Sequence, residues 1–258
     1  MAAIHTHTDG AIGWIVIDRP HQRNAITMDM WLKIPDAVAA LTGDDTIRAI
    51  VLHGAGDVAF AAGADVSDLQ KMGSDAQALA AFEAAFEAAQ ASIEAAAVPV
   101  IAAIRGACMG GGMALALACD IRIAGDDARF AIPAARLGLG YAAPAVARLM
   151  RAAGPMVAFE VLATAREYTA DAARVAGFVN EVVPAHNTLK RAGAVAWQIA
   201  TNAPLSVRAA KATLAALTRQ DGALEAAQAM IERCGASADF AEGRAAFLEK
   251  RRPRFHGR

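Results

Sequence analysis

The chain has 258 residues, of which 56% are apolar, 20% are charged and only 5% are aromatic, and 69 are alanine. A disordered chain combines low hydrophobicity with high net charge, whereas this one has a mean hydropathy of +0.31 and a net charge of −1. The composition therefore predicts a globular protein with a buried core. Because 25 basic residues balance 26 acidic ones, no overall field would attract nucleic acid or an anionic membrane. We expect a small molecule or a second copy of the chain as the partner.

Targeting and redox features of the sequence predict a cytoplasmic location, and the histidine pattern predicts no metal site. The N-terminal stretch MAAIHTHTDG has neither the basic region nor the apolar run of a signal peptide, and no segment has the length and hydrophobicity of a membrane span. Cys108, Cys119 and Cys234 form no CxxC pair, and their odd number suits a reducing compartment. The six histidines form no constellation typical of metal ligands. We therefore predict a cytoplasmic protein without disulfides, a metal site or a membrane anchor.

Short apolar runs alternate with long alanine-rich segments, which is typical of an α/β architecture. Within residues 76–97, Leu79, Phe82, Phe86 and Ile93 recur at helical spacing and predict an amphipathic helix. From about Ala185 onward only helical stretches are predicted, with breaks at Asn202-Ala203-Pro204 and at Asp221-Gly222, so the last third is interpreted as a helical appendage. The predicted strands are Gly13–Asp18, Ala49–His53, Val100–Ile104, Ile121–Ala124 and Val179–Val183.

The first loop with the composition of a binding site is AFAAGADVSDL, residues 59–69, which follows a predicted strand. Small residues flank Gly63, so backbone N–H groups there can approach a ligand closely. Asp65 and Asp68 are candidate caps for the next helix. An ordinary strand-to-helix turn is the alternative interpretation.

The second such loop lies in IRGACMGGGMALALACD, residues 104–120, where Gly110, Gly111 and Gly112 open an apolar helix directly after a strand. Glycines at a helix start expose N–H donors at the positive end of the helix dipole, which suits an anion or an oxyanion. Tight helix packing is the alternative. The spacing is not that of a dinucleotide-binding fingerprint.

Four motifs in order along the chain resemble the crotonase superfamily, whose members include enoyl-CoA hydratases and isomerases. They are Arg23-Asn24-Ala25, Ala62-Gly63-Ala64-Asp65, the three glycines followed by Cys119-Asp120, and the tail ADFAEGRAAFLEKRRPRF. The resemblance implies a spiral of ββα units over residues 1–198. It also implies a C-terminal helical trimerisation region over residues 199–258, and a homotrimer or a dimer of trimers.

The resemblance further implies an acyl-CoA thioester as substrate, with coenzyme A belonging to the substrate and no separate cofactor. The backbone N–H groups of Ala64 and Gly111 would hold the thioester oxygen, and such donors stabilise an enolate more than a neutral carbonyl. A neighbouring subunit would supply Phe247 and Lys250 to the adenine and phosphates of CoA, although a solvated basic tail is the alternative for Lys250. The remaining residues implied in CoA binding are Arg23, Ala25, Ala62 and Asp65.

The sequence departs from a hydratase at the residues that perform hydration. Hydratases of this superfamily use two glutamates, and the corresponding positions here are Ala114 and Ala134. A third position, which carries an aspartate in dienoyl isomerases and aryl-CoA dehalogenases, is Ala142. Because a positioned acid or base contributes about 10²- to 10⁴-fold in rate, we expect hydration to be weak.

The stretch FAIPAARLGLGY resembles methylmalonyl-CoA decarboxylases, which carry a tyrosine at the position of Tyr141, although they have a histidine where this chain has Ala64. A decarboxylase has a physical reason to lack the glutamates, because the substrate carboxylate leaves as CO₂ and a nearby carboxylate would repel it. Tyr141 would orient that carboxylate or supply a proton; packing of its ring in the core is the alternative. Arg136 is a candidate partner for an acyl carboxylate, or for an acid of the fold.

Two other functions remain open at this point. A weak hydratase or isomerase would use Tyr141, an ordered water or an acid such as Asp68 or Glu87. A non-catalytic acyl-CoA-binding or scaffolding protein would fit the same two alanines. RNA binding, known in one branch of the superfamily through a lysine-rich helix, is not expected, because residues 76–97 contain no Lys or Arg.

Overall fold

The computed structural model describes residues 3–219 and 223–258, so the predicted break at Asp221-Gly222 lies outside the described residues. The strands are β1 (Ala3–Asp9), β2 (Ile12–Asp18), β3 (Ala49–Gly54), β4 (Ala59–Ala61), β5 (Val100–Ile104), β6 (Ala107–Met109), β7 (Ile121–Gly125), β8 (Arg129–Ala131), β9 (Tyr168–Thr169) and β10 (Glu181–Val183). The helices are α1 (Met28–Thr42), α2 (Val66–Met72), α3 (Ala76–Ala95), α4 (Gly111–Ala118), α5 (Ala143–Thr164), α6 (Ala170–Val175), α7 (Thr188–Ala200), α8 (Pro204–Arg219), α9 (Leu224–Gly235) and α10 (Ala238–Leu248).

The strands form two sheets that the chain visits in turn. The larger sheet has the order β1-β2-β3-β5-β7-β10, with an antiparallel β1–β2 hairpin and parallel pairing elsewhere. The smaller sheet has the order β4-β6-β8-β9. Three times in succession, a long strand of the first sheet is followed by a short strand of the second and then by helix. This repetition confirms the predicted crotonase-like spiral of ββα units.

Alternation along the strands of the larger sheet produces two packed faces. Ile15, Ile50 and Leu52 belong to the main core, which the sheet shares with α1, α3 and α4. Val51 and the other residues that point the opposite way form a second cluster with Ala192 and Ala196 of α7. The alanines of α7 let that helix lie close to the sheet.

The predicted strands are confirmed with small shifts at their ends, and the predicted helix at 76–97 ends at Ala95. The interpretation of everything after Ala185 as an appendage needs correction, because α7 packs on the sheet and belongs to the core. The division of the chain at residue 198 and trimerisation by the following helices stay predictions. Within the described residues, no helix is long and apolar enough to span a bilayer.

Candidate active site

The segment from Ala62 to Asp65 runs beside the loop that precedes α1. The Ile26 N–H donates to the Gly63 carbonyl at 2.8 Å, and the Asp65 N–H donates to the Ile26 carbonyl at 2.9 Å. These two bonds form a parallel bridge between Ile26 and Ala64. In such a bridge the enclosed residue, Ala64, directs its own N–H to the opposite side. That N–H has no acceptor among residues 3–219 and 223–258.

The second loop brings the start of α4 to the same place. Gly110 is the N-cap with φ +49°, and its N–H donates to the Ala131 carbonyl at 2.8 Å. The Gly111 N–H begins the helix and therefore has no intrahelical acceptor. A methyl group at Gly112 would lie 2.2 Å from the Ala61 carbonyl oxygen. Glycine at this position thus lets α4 approach β4.

Gly63 is the point of contact between the two loops. It has φ +108°, which side-chain-bearing residues rarely adopt. A methyl group on it would lie 3.2 Å from the Met109 carbonyl oxygen and 3.6 Å from the Gly111 nitrogen. The two loops that the sequence singled out therefore meet, and each supplies a backbone N–H without a protein acceptor in the described chain. This arrangement suits the binding of an oxyanion.

Asp65 stabilises the conformation of the first loop. Its Oδ1 accepts from the N–H groups of Ser67 at 2.8 Å and Asp68 at 3.2 Å, which caps α2 as predicted. The Ser67 hydroxyl donates to the same carboxylate, and the Arg19 guanidinium forms an ion pair with it. These two contacts hold the pKa of Asp65 well below its usual range. The carboxylate is engaged within the loop, so its predicted role in CoA binding stays a prediction.

Two further residues join the surrounding loops: Arg19, which the sequence did not single out, and Asn24, which it named only as part of the Arg23-Asn24-Ala25 motif. Arg19 Nη1 donates to the Ala25 carbonyl at 3.2 Å, besides its ion pair with Asp65. Asn24 is fully buried at φ +55°, and its side-chain amide donates to the carbonyls of Ala55 at 2.9 Å and Ala59 at 2.7 Å. Its Oδ1 accepts the Arg19 N–H at 2.9 Å. Arg23, by contrast, is exposed, and its carbonyl accepts the Ala62 N–H at 3.0 Å.

An aromatic cluster lies directly against the second loop. Atoms of the Trp31 ring are 3.0 and 3.2 Å from the position that a Cβ of Gly111 would take, and an atom of the Phe86 ring is 3.3 Å from it. The Trp31 and Phe86 rings meet edge to face at 5.0 Å, and Phe82 stacks on Phe86 at 6.0 Å. The surroundings of Gly111 are thus apolar, which strengthens any electrostatic interaction made there.

Tyr141 lies in the segment between the 3₁₀ turn Pro133–Leu137 and α5. Its ring packs against the main core. The hydroxyl is buried and has no hydrogen-bond partner in the described chain. Burial raises the pKa of this phenol, so Tyr141 is neutral at physiological pH.

The family of the chain follows from its similarity to known proteins. The profile described as "Enoyl-CoA hydratase/isomerase" matches residues 7–258. The chain belongs to the enoyl-CoA hydratase/isomerase family. It is 37% identical to a crotonyl-CoA hydratase from Syntrophomonas wolfei over 93% of each chain, and 33% identical to a 2,3-dehydroadipyl-CoA hydratase from Escherichia coli over 95% of this chain and 94% of that one.

A solved structure agrees with this assignment. An enoyl-CoA hydratase/carnitine racemase from Magnetospirillum magneticum superposes with a TM-score of 0.95 at 35% identity, covering 100% of this chain and 97% of that one. The protein is therefore an enzyme of the enoyl-CoA hydratase/isomerase family, whose members act on acyl-CoA thioesters.

The positions at which the resemblance expects acids in this family carry short side chains. Ala114 is buried in α4, Ala134 is half-buried in the 3₁₀ turn, and Ala142 is exposed at the N-cap of α5. Arg136 is exposed. None of the three alanines can exchange a proton, so any acid or base for this family member comes from elsewhere.

The two carboxylates considered as substitutes are already engaged. Asp68 accepts the Met28 N–H at 3.0 Å and forms an ion pair with Lys71 at 3.2 Å. Glu87 accepts two bonds from the Arg148 guanidinium, at 2.6 and 2.8 Å. Both carboxylates are therefore already committed to contacts within the fold.

Phe247 and Lys250 lie at the end of α10 and just beyond it. Phe247 is 84% exposed, and Lys250 is also exposed. Within the chain, α10 packs mainly on α9. A cavity of about 290 Å³, lined in part by Arg122 and Lys211, contains none of the predicted site residues.

Proposed function

We propose that the chain binds an acyl-CoA thioester with its carbonyl oxygen between the N–H groups of Ala64 and Gly111. The observation that carries the proposal is the contact at Gly63, which brings together two N–H groups that lack protein acceptors in the described chain. Negative charge develops on the thioester oxygen when an enolate forms, so preorganised donors lower the barrier to that step. The reaction needs no cofactor beyond the CoA of the substrate.

The reaction that we propose is decarboxylation of a malonyl-type CoA. The bond between C2 and the carboxylate carbon breaks, CO₂ leaves, and the electron pair of that bond becomes the enolate. A proton, from the neutral Tyr141 hydroxyl or from water, then adds to C2. Alanine at positions 114 and 134 supports the proposal, because it removes the negative charges that would repel the substrate carboxylate.

Hydration or isomerisation of an enoyl-CoA is the second candidate, and the hydratase names of the relatives favour it. Against it stand the two alanines and the engagement of Asp68 and Glu87. Non-catalytic binding of acyl-CoA is the third candidate and rests on the same alanines.

Product analysis in D₂O separates the three functions. We expect malonyl-CoA or methylmalonyl-CoA to yield CO₂ and an acyl-CoA with one deuterium at C2, because the enolate takes its proton from an exchanged hydroxyl or from solvent. Conversion of crotonyl-CoA without conversion of either diacid ester would establish hydration instead. Unchanged esters that still bind in calorimetry would establish a non-catalytic binder.

We also propose a homotrimer or a dimer of trimers, assembled through residues 199–258 on a core of residues 1–198. The exposed Phe247 and Leu248 support this, because large apolar side chains on a helix end favour burial against a partner. In the assembly, Phe247 and Lys250 would reach the CoA of a neighbouring copy. A monomer in sedimentation that still binds CoA tightly would contradict that role. The three free cysteines support a cytoplasmic location.

A further inference from the structure

Trp31 carries a buried polar atom that the fold does not use. The residue lies on α1 and is completely buried, and its Nε1 has no acceptor in the described chain. An indole N–H can only donate, and leaving a buried donor unpaired is unfavourable. Such a group therefore calls for an explanation, and a ligand atom that arrives only on binding supplies one.

The orientation of the ring connects this donor with the candidate oxyanion site. Cζ2 and Cη2 of Trp31 are 3.0 and 3.2 Å from the position that a Cβ of Gly111 would take. In an indole, Nε1 and Cζ2 are bonded to the same ring carbon and lie on the same edge. The N–H is therefore at the ring position next to Cζ2, and it lies close to the start of α4, which carries the proposed donor to the thioester oxygen.

We propose that the Trp31 N–H donates to an oxygen on C3 of the acyl group, which makes Trp31 a specificity-determining residue. The inference rests on the proposed acyl-CoA function. In a malonyl-type group C3 is the carboxylate carbon, so the enzyme selects acyl groups that carry an oxygen there. Phe82 and Phe86 make the neighbourhood apolar, and an acyl group without that oxygen leaves the indole unpaired. Sites of this kind discriminate strongly against the analogue that lacks the acceptor.

The chemistry of the donor also suits loss of CO₂. An indole is neutral, so it orients a carboxylate without the strong ground-state stabilisation that an Arg or Lys would give. Tyr141, which is neutral as well, carries a buried hydroxyl that has no hydrogen-bond partner in the described residues. A carboxylate held by neutral donors in apolar surroundings retains its tendency to leave as CO₂.

The test compares two esters of equal carbon number that differ in the oxygen on C3. Acetoacetyl-CoA carries it and butyryl-CoA does not, and calorimetry measures both dissociation constants without turnover. In the wild-type chain we expect a preference for acetoacetyl-CoA, and Trp31→Phe should reduce that preference about tenfold, as expected for one lost hydrogen bond in a buried site. An unchanged ratio in Trp31→Phe would overturn the proposal.

Trp14 provides a matched control. Its Nε1 is also buried and unpartnered in the described chain, but the residue stacks on His7 and belongs to the sheet face covered by α7. Trp14→Phe should leave the preference unchanged. An equal loss in both variants would mean a general effect of removing an indole and would overturn the assignment to Trp31.

A second readout uses the wild-type chain and does not depend on the folding of a variant. With ¹⁵N-labelled tryptophan, we expect the Trp31 indole N–H resonance to shift with acetoacetyl-CoA and to shift much less with butyryl-CoA. Equal responses would show that a buried water or nothing at all accepts from Trp31, and would overturn the inference while leaving acyl-CoA binding intact. If neither ester binds, the proposed function fails too.

Discussion

Gly63 and Gly111 lie in contact, so that a methyl group on the first would come within 3.6 Å of the backbone nitrogen of the second. These residues are 48 positions apart and belong to different ββα units. Ala64 follows Gly63 directly, so this contact brings its N–H close to the N–H of Gly111. The proposed chemistry depends on this pair of backbone donors more than on any ionisable side chain.

Gly63→Ala tests the contact. Alanine at φ +108° is strained, and its methyl would press on the Met109 carbonyl, so the Ala64 N–H should move. We expect turnover to fall about 10²-fold, the effect of losing one oxyanion donor, while the acyl-CoA complex still forms. Gly154→Ala is the matched control, because Gly154 has φ +78° and no atom within 4 Å of an added methyl. If turnover falls equally in both variants, strain and not the oxyanion site explains the loss.

Asp65→Asn tests the charge that locks the first loop. Asparagine keeps an acceptor for the helix cap but loses the ion pair with Arg19. Because folding lowers the pKa of Asp65, its charge stabilises the fold fully above the pKa of an unfolded aspartate, about 4. That stabilisation is lost as the pH falls further, through the folded pKa.

Urea unfolding between pH 7 and pH 2 measures this difference. The wild-type chain should be more stable than Asp65→Asn at pH 7, and the gap should be constant down to about pH 4 and narrow below it. A gap that does not change with pH would show that the carboxylate acts only as a cap.

Arg148→Met tests the attachment of α5 to α3. Arg148 is 4% exposed and bonds Glu87 and Gln90, as well as Glu94 at 2.9 Å. Removing the buried guanidinium leaves Glu87 without its ionic partner, although Glu94 keeps its ion pair with Arg151, so the free energy of unfolding should fall by about 3 kcal/mol, the lower end for a broken buried pair. Arg191→Met, which breaks an exposed pair with Glu181, should have a much smaller effect. Equal losses would show that burial of Arg148 adds nothing.

Restoring acids tests the interpretation of the two alanines. Ala114→Glu combined with Ala134→Glu should raise hydration of crotonyl-CoA about 10²-fold and slow release of CO₂, because the new carboxylates repel a substrate carboxylate. Ala114→Glu combined with Ala135→Glu is the control, since Ala135 is an exposed neighbour on the same turn. We expect no gain in that control. An equal gain would mean that any added charge near the turn suffices.

Much of the fold was predictable from the sequence because its long strands are continuous apolar runs between alanine-rich helices. The strands β4, β6 and β8 were missed, since three residues are too few to show a period. Strand β1 was missed because its sequence, AIHTHTD, is mostly polar and exposed. The sequence predicts α7 as part of an appendage because its alanines are typical of the other helices of this chain and do not indicate packing on a sheet.

The candidate site was predictable only where a short motif carries it. The loops at Gly63 and Gly111 were found from their glycines and small neighbours. The ion pair between Arg19 and Asp65 joins residues 46 positions apart, and no local sequence pattern predicts such a pair. The unpaired indole N–H of Trp31 was not predictable either. An apolar residue in a helical pattern predicts burial, but it does not predict whether a buried donor lacks an acceptor.

Two turnover numbers of the purified wild-type protein, measured under one set of conditions, distinguish decarboxylation from hydration. The first is CO₂ release from malonyl-CoA or methylmalonyl-CoA, and the second is hydration of crotonyl-CoA. We expect CO₂ release to be much the faster and hydration to stay well below about 10 per second, the typical turnover of an enzyme. Hydration above that rate, with no CO₂ released from either diacid ester, would contradict the proposed decarboxylation.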